Sequence, residues 1–276
     1  MGNTIINSKS KSVERFFAPD TMVWKLHREM VLMLAGGRAL LMQLAHPKVA
    51  AGVAEHSHFK EDPLGRLHRT MTMMWSIVFD ELPKAQAALD QVNRIHGRVR
   101  GVVEATEPGP RGTPYDASDP ELLLWVHATL IDSAVLAYDL FVKSLTPEEK
   151  SNYYIDTKKL ARLFEIPEKV LPASLGDFDD YMERMLAGQG IAVGPTARSL
   201  AKDILYPRPW ALKPASPLFR LITAGLLPQR LRQAYGLDWN ERREKSFWLL
   251  ARGIRKSLPF VPRPLRIVPN ARRAAT

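Results

Sequence analysis

The sequence predicts an all-α fold built as a single large helical domain. Three observations lead to this prediction: apolar residues recur at helical spacing along most of the chain, 46% of the 276 residues are hydrophobic, and several apolar runs begin with a capping residue followed by proline. Strand-like alternation is nearly absent. We expect about ten helices in residues 19–257, after a leader at 1–18 and before an extended, basic, proline-rich arm at 258–276.

The first predicted helix extends from Met22 to about Ala45 and ends before Pro47. Gly36 and Gly37 interrupt its apolar pattern, which permits a kink or the close approach of a neighbouring helix. A short helical segment follows Pro47. The next helix is expected to begin at Asp62 as its N-cap, with proline in the first turn.

A further helix is predicted over "PKAQAALDQVNRIHGRVRGVV", whose apolar line contains His96 as its one polar member; the line is Ala85, Leu89, Val92, His96 and Val99. "EPGPRGTPYDASDP" is dense in proline and glycine and predicts a loop. "PELLLWVHATLIDSAVLAYDLFVKSL" is apolar nearly all round, so this helix is expected at the centre of the fold. Thr146 and Glu149 then form a capping box that starts the following helix.

Composition restricts the possible functions. The chain contains no cysteine, which excludes disulfides, thiolate metal sites and iron–sulfur clusters. No segment has the pattern of a signal peptide or an uninterrupted spanning helix, so we expect a soluble, cytoplasmic protein. The net charge is +10, and much of the excess lies after Arg220. No nucleic-acid motif accompanies it; weak contact with an anionic membrane or an acidic partner remains open, beside the simpler interpretation of a solvated basic surface.

Histidines on apolar helix faces, with arginines nearby, are what a haem site requires: an apolar slot, one imidazole ligand and cations for the propionates. His96 is the candidate ligand, and Arg100, one turn later, could meet a propionate or hold a neighbouring carboxylate. The competing interpretation is a core histidine bonded to a carbonyl. Zinc, a serine nucleophile and a phosphate loop are disfavoured because their motifs are missing.

Several blocks of the sequence together resemble a known family. They are "GGRALLMQLAHPKVAAGVAEHSHFKEDPLGRLHRT", Gly36 to Thr70, followed by "IHGRVRG" and "PYDASDPELLLWVHATLIDS". Their order and spacing resemble the rubber oxygenase (latex-clearing protein) and mpaB-type oxygenase superfamily, strongly over residues 20–145 and weakly beyond. The resemblance implies a haem b in an all-helical, globin-like core, with O2 as co-substrate.

The resemblance also implies roles for individual residues. His96 corresponds to the proximal iron ligand, and Arg100 to the arginine four residues after it. "RLHRT" matches a distal Arg-x-x-Lys-Thr motif through Arg66 and Thr70, with Arg69 in place of the lysine. A guanidinium stays protonated and has no lone pair for iron, so Arg69 cannot act as an iron ligand as lysine does.

Helix geometry supports part of this assignment independently. Arg66 and Thr70 lie one turn apart on one helix face, where a cation and a hydroxyl can converge on a bound ligand. A solvent-facing basic turn is the alternative. Met73 belongs to a methionine-rich run that could line an apolar cavity, although such a run is more often ordinary core.

Other candidates remain at this point. His127, in the most apolar helix, is the alternative iron ligand or a residue that supports the ligand, and nearby Asp132 needs a polar partner. His46 is interpreted as a structural helix cap, with cofactor contact as the lesser alternative, and Glu55 as the candidate for the carboxylate base that the family is thought to use.

Three classes of function therefore compete. The first is a haem-b-dependent oxygenase or oxidase that uses O2 on an apolar organic substrate, with alkene cleavage suggested by the resemblance. The second is a non-catalytic haem protein that binds or senses a gas. The third is a helical interaction protein without cofactor, which predicts a colourless protein.

Overall fold

A computed structural model describes residues 14–57, 63–109, 112–206 and 214–274. These residues form fourteen α-helices and one short two-stranded sheet, which confirms the all-α prediction. The α-helices are Met22–His27 (α1), Gly36–Leu44 (α2), Pro47–His56 (α3), Pro63–Phe79 (α4), Leu82–His96 (α5), Pro120–Phe141 (α6), Pro147–Leu163 (α7), Leu175–Ala187 (α8), Pro195–Leu205 (α9), Ser216–Leu226 (α10), Gln229–Ala234 (α11), Glu241–Ser257 (α12), Arg263–Arg266 (α13) and Pro269–Arg273 (α14). The described 3-10 helices are Met30–Ala35, Glu168–Val170 and Leu258–Phe260, and the strands are Arg100–Val102 (β1) and Pro114–Asp116 (β2).

Helix α6 lies at the centre of the fold, as its sequence predicted. It packs against α1, α2, α7, α12 and the 3-10 helix before α2, and Trp125 and Phe141 on it are fully buried. Within the described ranges it is the one helix long and apolar enough to cross a membrane, but 61% of that apolar stretch is buried by protein. Burial on several sides explains why the helix is apolar all round.

The first predicted helix is divided at a different place than expected. Its break lies at Arg28 and Glu29, where Glu29 adopts an extended conformation and pairs with Ile267 in an isolated bridge. The glycine pair instead begins α2, and a Cβ on Gly37 would collide with Thr223 and Phe219 of α10. The glycines therefore allow close helix packing, whereas a contact with a distant part of the chain ends α1.

Helices α4 and α5 form an antiparallel hairpin, because only Asp80 and Glu81 connect them and they pack along each other. The expected Asp62 cap lies outside the described residues. Helix α5 ends at His96 and not near Val103, since β1 follows it and pairs with β2 inside the predicted loop. In this sheet Gly101 stands opposite Tyr115.

The C-terminal residues also differ from expectation. We expected an extended arm after Leu258, but residues 258–273 contain three short helical segments that pack on the core. Glu29, 2% exposed, accepts two hydrogen bonds from the Arg266 guanidinium at 2.8 and 3.1 Å. Asn270 is buried and donates to the Asp80 carboxylate at the end of α4. These polar contacts hold the segment against α1 and α4.

Candidate functional site

The α4–α5 hairpin brings two predicted groups of residues to one end of the molecule. On antiparallel helices, residues equally far from the connection are neighbours. His96, the last residue of α5, therefore lies beside the first half of α4, which carries Arg66, Arg69 and Thr70. This end, which we call the open end of the hairpin, also leads directly into β1.

His96 has the properties of an available ligand. Its side chain is half-buried, and within the described residues its ring has no hydrogen-bond partner. Desolvation by burial lowers the pKa of His96 below its usual 6.5, so the imidazole is neutral at pH 7 and retains a lone pair. The interpretation of His96 as a core histidine bonded to a carbonyl finds no such carbonyl among the described residues.

Apolar side chains next to His96 in the chain and in the middle of α4 are only partly covered by protein. Ile95, which precedes His96, is 47% exposed, and four residues of α4 are half-buried: Met71, Met73, Met74 and Trp75. The C-terminal turn of α4, residues 76–79, is by contrast fully buried. Met73 therefore lies on partly exposed apolar surface and not in closed core.

The distal candidates occupy the same open end. Arg69 and Thr70 are exposed on α4. Arg66 belongs to α4, but its side chain lies outside the described residues. Arg69 and Thr70 are therefore accessible to a ligand approaching α4 from solvent.

A polar cluster lies against the β hairpin that follows His96. The Tyr115 hydroxyl donates a hydrogen bond to Glu55 Oε2, and the His56 ring lies 3.0 Å from the Arg100 carbonyl and 3.8 Å from Glu55. Burial and the Glu55 carboxylate raise the pKa of Tyr115 well above 10, so its hydroxyl remains a donor. A Cβ on Gly101 would lie 2.5 Å from the Tyr115 hydroxyl oxygen, so a larger residue there would have to push the Tyr115 and Glu55 side chains aside.

Arg100 already has a carboxylate partner. Its Nε lies 2.8 Å from Asp116 Oδ2 across the sheet, with the Arg100 side chain 65% exposed. Of the two roles predicted for Arg100, the structure shows contact with a neighbouring carboxylate. The residues that the sequence did not single out here are Tyr115 and Asp116, and only the pairing of β1 with β2 reveals them.

His127 lies in a different environment, at the junction of α1, α6 and α7. It is 7% exposed, and desolvation by burial lowers its pKa to about 4. A hydrogen bond with the Thr157 backbone acts in the opposite direction and raises this pKa. His27 is close enough to lower that pKa further, and its own ring lies 2.9 Å from the Tyr153 hydroxyl. We call His27, His127 and Tyr153 the buried junction. His127 and Tyr153 are buried there, and His27 is partly exposed.

Two further polar predictions have clear outcomes. Asp132 forms an ion pair with Arg38, which is 5% exposed and also donates to Ser133 and to the Leu226 carbonyl. His46 occupies the N-cap position of α3, but its side chain makes no capping hydrogen bond. Its Nδ1 is buried without a hydrogen-bond partner among the described residues, so the capping role is not realised.

The donor set suits a cofactor that brings most of its own metal ligands. Within the described ranges, no group of three or more His, Asp or Glu side chains could hold a metal ion. A haem needs only one or two protein ligands, because the porphyrin supplies four nitrogens. His96, a neutral imidazole without a hydrogen-bond partner among the described residues, meets the requirement for one protein ligand.

Comparison with known sequences identifies the family. Residues 24–256 match the family model described as ER-bound oxygenase mpaB/B′/rubber oxygenase, catalytic domain. The chain belongs to this family. The match covers the blocks that suggested the resemblance, and the family name places the chain among the oxygenases, a class of oxidoreductases.

Two curated relatives are named as uncharacterized proteins. The chain is 29% identical to the uncharacterized proteins Mb2261 of Mycobacterium bovis and Rv2237 of Mycobacterium tuberculosis, over 227 residues in each case. The aligned region covers 79% of this chain and 86% of each relative. No solved structure matches the chain.

Proposed function

We propose that the protein is a haem-b-dependent oxygenase that uses O2 to oxidise an apolar organic substrate, with His96 as the protein ligand to iron. One observation supports this above others: His96 is a neutral, half-buried imidazole without a hydrogen-bond partner among the described residues, in a chain of an oxygenase family. Alkene cleavage is the reaction that the family resemblance suggests.

The residues around His96 have complementary roles in this proposal. When bound, the haem supplies a redox-active iron for the activation of O2. The methionines of α4 and Ile95 provide apolar surface for the porphyrin and for an apolar substrate. Arg69 and Thr70, together with Arg66 as the family resemblance implies, would supply hydrogen-bond donors to an anionic ligand bound at this end of α4.

Glu55 is the proposed proton acceptor. Tyr115 donates to one of its oxygens, Oε2, which fixes the carboxylate and leaves Oε1 to accept a proton. The Glu55 side chain is 43% exposed, so a substrate at the open end of the hairpin can approach it. A Glu55→Gln variant that kept full turnover would remove Glu55 from the proposal.

The test is the absorption spectrum of protein produced with added haem, before and after dithionite and carbon monoxide. We expect a Soret band in the wild type, loss of this band in His96→Ala, and its recovery when imidazole is added to His96→Ala. His68→Ala is the matched control, because it removes an exposed histidine from the same end of α4. His127→Ala should keep the band.

Each other outcome has a defined meaning. Loss of the band in His127→Ala alone would move the ligand to His127. A wild type without a Soret band would favour the helical interaction protein. A haem protein that consumes no O2 with a series of apolar alkenes would favour gas binding over catalysis.

A further inference from the structure

The outer face of α12 has an unusual combination of exposed apolar and basic side chains. Its inner face packs Phe247, Ala251 and Ile254 onto α6 and α10, which fixes the rotation of the helix. The residues that point away from the core recur at intervals of three and four and continue into the 3-10 helix: Arg242, Lys245, Leu249, Arg252, Lys256 and Phe260. We call this row the α12 stripe.

The apolar members of the stripe are highly exposed. Leu249 is 73% exposed and Phe260 is 86% exposed, and Leu265 just beyond them is 70% exposed. Single exposed apolar residues are common on protein surfaces. Here three large ones lie within one basic segment, which is a pattern of interaction surfaces.

The charge of this region is one-sided. From Lys245 to the C-terminus the chain has eight Lys and Arg residues and no Asp or Glu. Within the described residues no hydrogen bond or ion pair reaches the side chains of Arg252, Lys256 or Arg263. Lys245 contacts Glu241 at 4.0 Å, where both side chains are more than 80% exposed, so this pair is weak.

We propose that the α12 stripe docks the protein on an anionic lipid bilayer. Cations that alternate with Leu and Phe match a membrane interface, where apolar side chains enter the acyl boundary and Lys and Arg reach the lipid phosphates. A second copy of the same stripe would bring cation against cation, which disfavours self-association. The inference is independent of the proposed haem chemistry, because it requires neither the cofactor nor His96.

The test is co-sedimentation with phosphatidylcholine vesicles that contain or lack phosphatidylserine. We expect binding only to the anionic vesicles, and weaker binding as NaCl concentration rises, since salt screens the cations. The Leu249→Ser/Phe260→Ser variant should lower partitioning about tenfold or more, and so should Arg252→Gln/Lys256→Gln.

Ile155→Ser is the matched control, because Ile155 is 64% exposed but lies on α7. All these positions are exposed, so circular dichroism and thermal unfolding should match the wild type. Trp248, 42% exposed on α12, gives a second readout: its fluorescence should shift to shorter wavelength on anionic vesicles.

Three results would overturn the proposal: no binding to anionic vesicles, binding equal on both kinds of vesicle, or stripe variants that bind as well as Ile155→Ser. A dimer in sedimentation velocity that Leu249→Ser dissociates would assign the stripe to self-association instead. None of these results depends on whether the protein binds haem, so failure here leaves the proposed function intact.

Discussion

The open end of the α4–α5 hairpin and the buried junction each contain a histidine that the sequence offered as an iron ligand. His96 is half-buried, and within the described residues its ring has no hydrogen-bond partner. His127 is 7% exposed and lies near His27, whose ring contacts the Tyr153 hydroxyl. The difference indicates that His127 contributes to folding stability, whereas His96 is left available for a ligand.

The largest difference between the two regions should appear as the pH is lowered. Burial lowers the pKa values of His27 and His127 in the folded protein to about 4. In the unfolded chain these histidines have their ordinary pKa near 6.5, so between pH 6.5 and 4 the unfolded chain binds more protons than the folded protein. The stability due to the neutral rings is complete above pH 6.5 and is lost as the pH falls towards 4. For each of the two rings, the free energy of unfolding should fall by about 3 kcal/mol between pH 6.5 and pH 4. Urea unfolding of the haem-free protein across this range measures the loss, to which His46 also contributes because burial lowers its pKa to about 4, and a flat profile would contradict the prediction.

Removing each histidine compares the regions directly. His127→Ala leaves a cavity in the core and should lower the free energy of unfolding by about 3 kcal/mol. His96→Ala, at the open end, should cost less than about 1 kcal/mol in haem-free protein. Denaturant unfolding of both variants measures this, and equal losses would mean that His96 is a structural residue as well.

The packing of the β hairpin against Glu55 is tested by Gly101→Ala. The added Cβ would displace the Tyr115 hydroxyl from Glu55, at a cost of about 2 kcal/mol in unfolding free energy. Gly109→Ala is not a suitable control because Gly109 has a φ of 108°. Gly36→Ala is suitable, since no atom lies within 4 Å of the added Cβ. Equal stability of the two variants would show that the hairpin adjusts freely.

A smaller effect is expected within the buried junction. Tyr153→Phe removes the hydroxyl that lies 2.9 Å from His27 Nε2 and leaves that ring atom without a partner. The expected cost is about 1 kcal/mol, measured by thermal unfolding at pH 7.5. Tyr206→Phe provides a matched control, because Tyr206 is 57% exposed. An unchanged melting temperature would mean that water or another group replaces the hydroxyl.

The smallest effect should follow Arg100→Gln at the open end. The ion pair of Arg100 with Asp116 joins two exposed side chains, so its loss should change the unfolding free energy by less than about 0.5 kcal/mol. If Arg100 also meets a haem propionate, the same variant should weaken haem retention while protein stability stays constant. Haem transfer to an acceptor protein distinguishes these outcomes.

The agreement between sequence and structure is best where local pattern decides. The Thr146 and Glu149 capping box, the central position of α6 and the helical class are all as predicted. The predictions that failed depended on distant contacts. Helix α1 stops at Arg28 because Glu29 pairs with Ile267, and α5 stops at His96 because β1 pairs with β2.

The candidate site shows the same division. The sequence nominated Arg66, Arg69, Thr70, His96 and Arg100, and the hairpin brings these positions of the backbone to one end of the molecule, whereas Met73 lies nearer the middle of α4. Tyr115 was missed because its partner Glu55 is 60 residues away in the chain. No pattern within a single segment reports such a contact.

The sequence by itself determined the helical class, the family, the exclusion of cysteine chemistry and the charge of the C-terminal region, since these depend on composition, periodicity and motif order. Tertiary structure gave His96 and His127 different surroundings, and the proposal of His96 as the ligand rests on that difference. Both histidines lie on apolar helix faces, and the burial and partners of an imidazole depend on which distant helices cover it. The same reason explains the last residues: their prolines suggested an extended arm, but Arg266 and Asn270 find buried partners in Glu29 and Asp80.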